Sequence, residues 1–199
     1  MTVQQQLRGT GVALVTPFAK DGSIDFTALG KVIDHVINVG VDYLITLGTT
    51  GETPTLTKEE KIAVIDFTFS HTAERVPIIV GVGGNSTAEV VSDLQKFPLA
   101  KAIAVLSAAP YYNKPSQEGI YQQYKAIAEA TDIPVVLYNV PGRTGVNMTA
   151  ETTLRLARDF KNIIAIKEAS GNITQMDDII KNKPANFDVI SGDDGITFP

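Results

Sequence analysis

Two hydrophobic periodicities alternate along the chain. Short continuous apolar runs recur at Val12 to Thr16, Tyr43 to Leu47, Ile78 to Gly83, Ala102 to Ser107, Pro134 to Pro141, Ile163 to Lys167 and Phe187 to Ser191. Runs of this length, predominantly apolar, predict strands buried on both faces of a parallel sheet. Between them the spacing changes to that of one face of a helix: Leu29, Val32, Ile33, Val36 and Ile37; Ile62, Ile65 and Phe69; Val90, Val91 and Leu94; Ile120, Tyr124 and Ile127; Leu154, Ala157 and Phe160; Met176, Ile179 and Ile180. The punctuation agrees. Asp25 and Asn172 stand where helices begin, Thr57 with Glu60 and Ser86 with Glu89 have the capping-box spacing, Gly40 closes a helix, and Pro77 and Pro134 precede strands.

Seven strands alternating with six full helices predict an α/β fold, either a doubly wound sheet or a (β/α)8 TIM barrel. No GxGxxG follows the first strand, which disfavours the dinucleotide-binding sheet. The repeated units favour the barrel, and without a linker or charge block residues 1–199 read as one domain. A complete barrel has eight units and typically about 250 residues. The expectation is therefore a TIM barrel truncated after strand seven, with strand eight and the C-terminal helices absent. The chain reaches Thr197-Phe198-Pro199 where a further helix is due.

Composition narrows the chemistry. The chain is 44% hydrophobic with a net charge of −5, which fits a globular protein and argues against non-specific binding to nucleic acid or anionic membrane. It has no cysteine, so disulfides, thiolate metal sites and cysteine nucleophiles are excluded. Its two histidines, His35 and His71, fall in separate helical patterns, so no histidine metal cluster is expected. The polar start MTVQQQLRG lacks the apolar core of a signal peptide, and no apolar run reaches membrane-spanning length, so a cytoplasmic protein is expected.

In a barrel the active site lies at the C-terminal ends of the strands. Lys167 ends the sixth strand, IIAIK. Burial there would favour the neutral, nucleophilic amine; a lysine that snorkels to solvent is the plain alternative. Tyr138 ends the preceding strand and offers a phenol for proton transfer. Gly48-Thr49-Thr50-Gly51-Glu52 after strand two is a carboxylate cradle or a tight turn. Arg143, in a glycine-flanked loop, suits a carboxylate or a surface ion pair. Tyr111 and Tyr112 suit packing or an interface as well as a proton relay. Ser191-Gly192-Asp193-Asp194 lines a site or caps a helix; a divalent cation would need a third carboxylate, so no metal is expected. Gly81 to Asn85 lacks the lysine and Ser/Thr of a phosphate loop and reads as a turn. Together, amine, phenol, carboxylate cradle and arginine suit imine chemistry on a 2-oxo acid.

The motifs GTTGE, PYYNKPSQEG, YNVPGRTG, IKEASGN and SGDD, in this order, resemble the 4-hydroxy-tetrahydrodipicolinate synthase (dihydrodipicolinate synthase) family, within the pyruvate-dependent class I aldolases that include N-acetylneuraminate lyase. The resemblance covers the whole chain. It implies a TIM barrel with a C-terminal helical extension, assembled as a homotetramer. It implies that Lys167 forms an imine with pyruvate, without a separate cofactor, and that Tyr138 shuttles the proton. Thr49 and Thr50 would bind the pyruvate carboxylate, Thr50 would continue a hydroxyl relay from Tyr138, and Tyr112 would complete that relay across the dimer interface, from a neighbouring subunit. Arg143 would bind the carboxylate of aspartate 4-semialdehyde, with Gly192 nearby. GTTGE and GRTG favour the synthase over an aldolase or dehydratase of sugar-derived 2-oxo acids; a non-catalytic fragment is the other alternative. In inhibited members lysine binds near the positions of Asn85, Glu89 and Tyr111. Lys58 and Lys61 replace histidines common there, so weak or no inhibition is expected.

Overall fold

The computed structural model describes residues 1–197. The expected helix start at Phe198 and Pro199 lies outside the described residues. The chain divides into two compact units, Met1–Val82 with Lys96–Val105, and Gly83–Gln95 with the chain from Leu106 onward. All seven expected strands are present, and their order in the sheet is their order along the chain.

In the first unit a one-turn helix α1 (Val3–Gln6) precedes β1 (Gly11–Ala13), α2 (Phe26–Asn38), β2 (Tyr43–Thr46), α3 (Lys58–Thr72) and β3 (Ile78–Gly81). The strands pair in parallel, Gly11 with Tyr43 and Leu44 with Ile78. Every residue of β2 and β3 is buried, as their continuous apolar runs require. Leu29 and Ile33 of α2 and Val64 and Ile65 of α3 are core residues. Each such burial contributes about 1.5–3 kcal/mol. Asp25 caps α2 by accepting the Ala28 N–H, and Thr57 and Glu60 form the reciprocal box that opens α3.

Three polar contacts tie these layers. The hydroxyls of Thr46 and Thr68 lie 3.2 Å apart in the core. Thr68 also donates to the Val64 carbonyl, so Thr46 supplies the proton between them. Near the surface, Asp34 of α2 meets His71 at 3.1 Å and Arg75 at 2.7 Å. Both contacts hold the Asp34 carboxyl below its ordinary range, the Arg75 hydrogen bond more than that of His71.

The second unit holds α4 (Thr87–Lys96) up to Gln95, the end of β4 (Ala104–Ala108), α5 (Gln117–Glu129), β5 (Val135–Asn139), the one-turn α6 (Pro141–Thr144), α7 (Ala150–Asp159), β6 (Ile163–Glu168), α8 (Ile173–Asn182) and β7 (Asp188–Ser191). β5, β6 and β7 pair in parallel. The β5–β6 register steps at its start: Val135 faces Ile163, whereas Val136 faces Ala165. Thereafter Tyr138 faces Lys167 and Asn139 faces Glu168.

Several expectations shift. β1 ends at Ala13 rather than continuing to Thr16, although Leu14 still donates to Ile45. Ser86 accepts the Glu89 N–H at 3.4 Å. On α8, Ile179 is buried as expected, but Ile180, the next position round the helix, falls outside the buried stripe and is 52% exposed.

β3 ends against a kink. Leu47 adopts a left-handed conformation (φ 55°), and its carbonyl turns so far towards Gly81 that a Cβ at 81 would overlap it. Gly81→Ala should therefore cost about 1–3 kcal/mol through overpacking against rigid backbone. Urea denaturation checks this; an unchanged midpoint would show that the two backbones are not held together.

Candidate active site

Tyr138 and Lys167 are cross-strand partners at the C-terminal ends of β5 and β6. Paired residues of parallel strands project from the same face, so amine and phenol ring are brought together by register alone. Lys167 Nζ lies 4.6 Å from the Tyr138 ring centroid. Tyr138 is buried and Lys167 half-buried. Desolvation pushes the ammonium below its ordinary pKa, and the Asp194 carboxylate opposes this more weakly. The stem of Lys167 packs on Gly192, where a Cβ would stand 2.9 Å from Cε and 3.1 Å from Cγ. A side chain at 192 would displace the amine.

The opposite face of the same two strands is polar and sealed. Asn139 and Glu168 are 0% and 1% exposed. The Glu168 carboxylate accepts from Asn139 Nδ2 at 3.0 Å, the Ser170 N–H at 2.7 Å and Gln175 Nε2 at 3.0 Å. Asn139 Oδ1 accepts the Met148 N–H, and its amide donates to Asn147 Oδ1 at 2.8 Å. Asn147 donates to Gln175 Oε1 at 2.9 Å, and its carbonyl accepts from Gln117 at 2.7 Å. This network fastens the ends of β5 and β6 to the loop after α6, to α5 and to α8. Sequence reasoning passed over these residues. The available signal was a polar residue directly after each chemical one, Asn139 after Tyr138 and Glu168 after Lys167, at the ends of buried runs.

Comparison with known proteins fits this geometry. The profile of the Dihydrodipicolinate synthetase family matches residues 6–199. The chain belongs to this family. It is 68% identical over 197 residues to the 4-hydroxy-tetrahydrodipicolinate synthase of Phocaeicola vulgatus, covering 99% of this chain and 66% of the relative. It is 66% identical to that of Parabacteroides distasonis, covering 97% and 65%. The crystal structure of dihydrodipicolinate synthase from Aquifex aeolicus superposes with a TM-score of 0.91 at 42% identity, over 96% of this chain and 65% of that one. The chain thus spans slightly less than two thirds of the length of these relatives. Its fold is the expected α/β TIM-barrel class, with seven strands among the described residues.

The other candidate residues of this dihydrodipicolinate synthetase relative sit as follows. Thr49 and Thr50 form a 3-10 turn, Thr49–Gly51, after β2. Thr53 Oγ1 donates to the Leu47 and Gly48 carbonyls, and Thr16 Oγ1 to that of Gly51, which clamps the turn. Arg143 is exposed on α6, whose Thr144 hydroxyl donates to Val146 O at 2.9 Å. Tyr111 is half-buried, whereas Tyr112 is 85% exposed with a left-handed backbone (φ 69°), a strained setting for a bulky residue. Asn113 donates to the Asn85 carbonyl with its amide and to the Tyr111 carbonyl with its N–H. Glu89 is exposed in the first turn of α4. Asp193 caps a 3-10 turn by accepting the Gly195 N–H at 3.1 Å. No group of three or more metal-ligating side chains occurs among the described residues, nor does a helix long and apolar enough to cross a membrane.

Among the described residues, every group that hydrogen-bonds the Glu168 carboxylate is a donor. Glu168→Gln places an amide N–H₂ among donors and leaves at least one buried group unpaired. A loss of about 1–3 kcal/mol follows. Chemical denaturation measures it; a variant as stable as the parent would mean that the network does not bear on the fold.

Proposed function

We propose that the chain carries the catalytic centre of a 4-hydroxy-tetrahydrodipicolinate synthase, a lyase of lysine and diaminopimelate biosynthesis. The observation that carries this reading is the half-buried Lys167 amine, held 4.6 Å from the Tyr138 ring by strand register. The relatives' names and the matching family support it.

In this reading the neutral Lys167 amine adds to the keto carbon of pyruvate. The keto oxygen leaves as water, taking one proton from the amine and one from solvent, and an iminium forms. A methyl C–H bond then breaks, its proton passes through the Tyr138 phenol, and its electron pair forms the enamine. The enamine carbon attacks the aldehyde of aspartate 4-semialdehyde, whose oxygen takes a proton. The amine of the second substrate adds to the imine carbon and expels Lys167, closing the ring. No separate cofactor takes part.

Thr49 and Thr50 supply donors for the pyruvate carboxylate, and Arg143 holds the carboxylate of the second substrate. Gly192 leaves room for the Lys167 stem. Tyr112 serves a neighbouring subunit of a homotetramer, its exposure being consistent with an interface. Residues 1–199 form one barrel domain, and the protein acts in the cytoplasm.

Borohydride reduction in the presence of pyruvate tests the assignment, on this chain and on a fusion with the remaining third of the Phocaeicola vulgatus relative. The expected product is a stable adduct on Lys167, located by peptide mass spectrometry. Folded proteins that both lack it would overturn the imine mechanism.

By the resemblance stated above, Lys58 and Lys61 would put two cations where inhibited members of the family carry histidines, in a lysine site to which the Asn85, Glu89 and Tyr111 positions would belong. They oppose the ammonium groups of lysine. Steady-state rates of the fusion should therefore hold as lysine is added, and inhibition at low lysine concentration contradicts this.

A further inference from the structure

Tyr124 is the largest of the wholly buried side chains, with 0% exposure. Phenylalanine would fill the same space without the cost of burying a hydroxyl. The hydroxyl must therefore be explained by what it bonds. It donates to the Ser107 carbonyl in β4 at 2.7 Å. A hydrogen bond from the Tyr138 backbone partly opposes the rise that burial causes in the pKa of this phenol. The Tyr138 carbonyl accepts from Ala109 at 2.9 Å.

In a parallel ladder a residue's N–H and C=O address the residues on either side of its partner. Tyr138 thus stands opposite Ala108, and its N–H is aimed at Ser107. The Tyr124 hydroxyl sits on that rung. Burial holds its phenol well above the ordinary pKa, so it stays a donor at neutral pH. Tyr121, one turn earlier, behaves differently: its hydroxyl bonds Asp159 at 2.8 Å and its ring stacks on Arg155.

We propose that Tyr124 is a positioning residue, whose hydroxyl on the β4–β5 rung fixes the backbone of Tyr138 and so the placement of its phenol beside Lys167. This rests on the imine reading above. The phenol is needed to move the methyl proton, whereas addition of the amine to the ketone is not routed through it. Loss of the hydroxyl should therefore separate the two steps.

The test is Tyr124→Phe in the fusion protein, with two measurements in parallel. Borohydride trapping reports imine formation, and deuterium uptake into the pyruvate methyl group in D₂O, followed by NMR, reports proton transfer. Trapping should remain within about twofold, while methyl exchange slows about tenfold, as expected for a displaced proton-transfer group. A purely structural role would lower both together, and an unchanged ratio overturns the proposal. If the parent protein itself gives no adduct on Lys167, the imine reading falls and the proposal falls with it. The geometry has its own readout: the Tyr138 amide resonance must move in Tyr124→Phe, or in the parent labelled with fluorotyrosine should the variant not fold. A resonance that stays in place shows that the hydroxyl does not touch this rung.

Discussion

The pairing of β5 with β6 is the constraint on which the rest of the second unit depends. Both strands are apolar until their last two residues, and both then end in a chemical residue followed by a structural one. Register turns this into two back-to-back pairs, Tyr138 with Lys167 and Asn139 with Glu168. The first pair holds an amine beside an aromatic ring. The second is a buried carboxylate–amide contact that fixes the same strand ends from behind. Chemistry and support occupy adjacent positions in the sequence because a strand alternates its faces.

The support is long-range in sequence. Glu168 reaches Asn139 and Gln175, Asn147 reaches Gln175 and Gln117, and these bonds join five segments around one carboxylate. A network in which each member is satisfied is rigid, whereas a partly satisfied one is costly. This explains how a half-buried lysine can be tolerated at a strand end. Its stem lies on Gly192, and the strand beneath it cannot shift without breaking bonds on the other face.

Much of the fold was legible in local pattern. Continuous apolar runs marked each strand, and Asp25, Thr57 with Glu60, and Asn172 marked helix starts, because capping acts over three or four residues. Lys167 and Tyr138 were legible for a related reason: an ionisable or phenolic group at the end of a buried run is unusual. Glu168, Gln175 and Tyr124 were not, since their partners lie in other segments and only the folded chain brings them together. Ile180 read as core because periodicity gives a helix face, not the extent of the surface that face will meet. The left-handed backbone of Tyr112 had no local sign, as neither glycine nor asparagine occupies the position.

The step at the start of the β5–β6 ladder has a further consequence. Ile163 and Ala165 face consecutive residues of β5, so Ile164 is supernumerary, a β-bulge. In a regular ladder from Val135, with Ile164 paired to Val136, Lys167 would stand opposite Asn139, and Tyr138 opposite Ile166. The bulge, by leaving Ile164 out of the pairing, therefore acts as a phase setter. It stands several residues away from the amine, yet it decides which of two neighbouring side chains faces the phenol. Strands of this unit can exchange one apolar residue for another, but a one-residue insertion or deletion between Ile164 and Lys167 would exchange the face shared with Tyr138 for the one that carries Glu168.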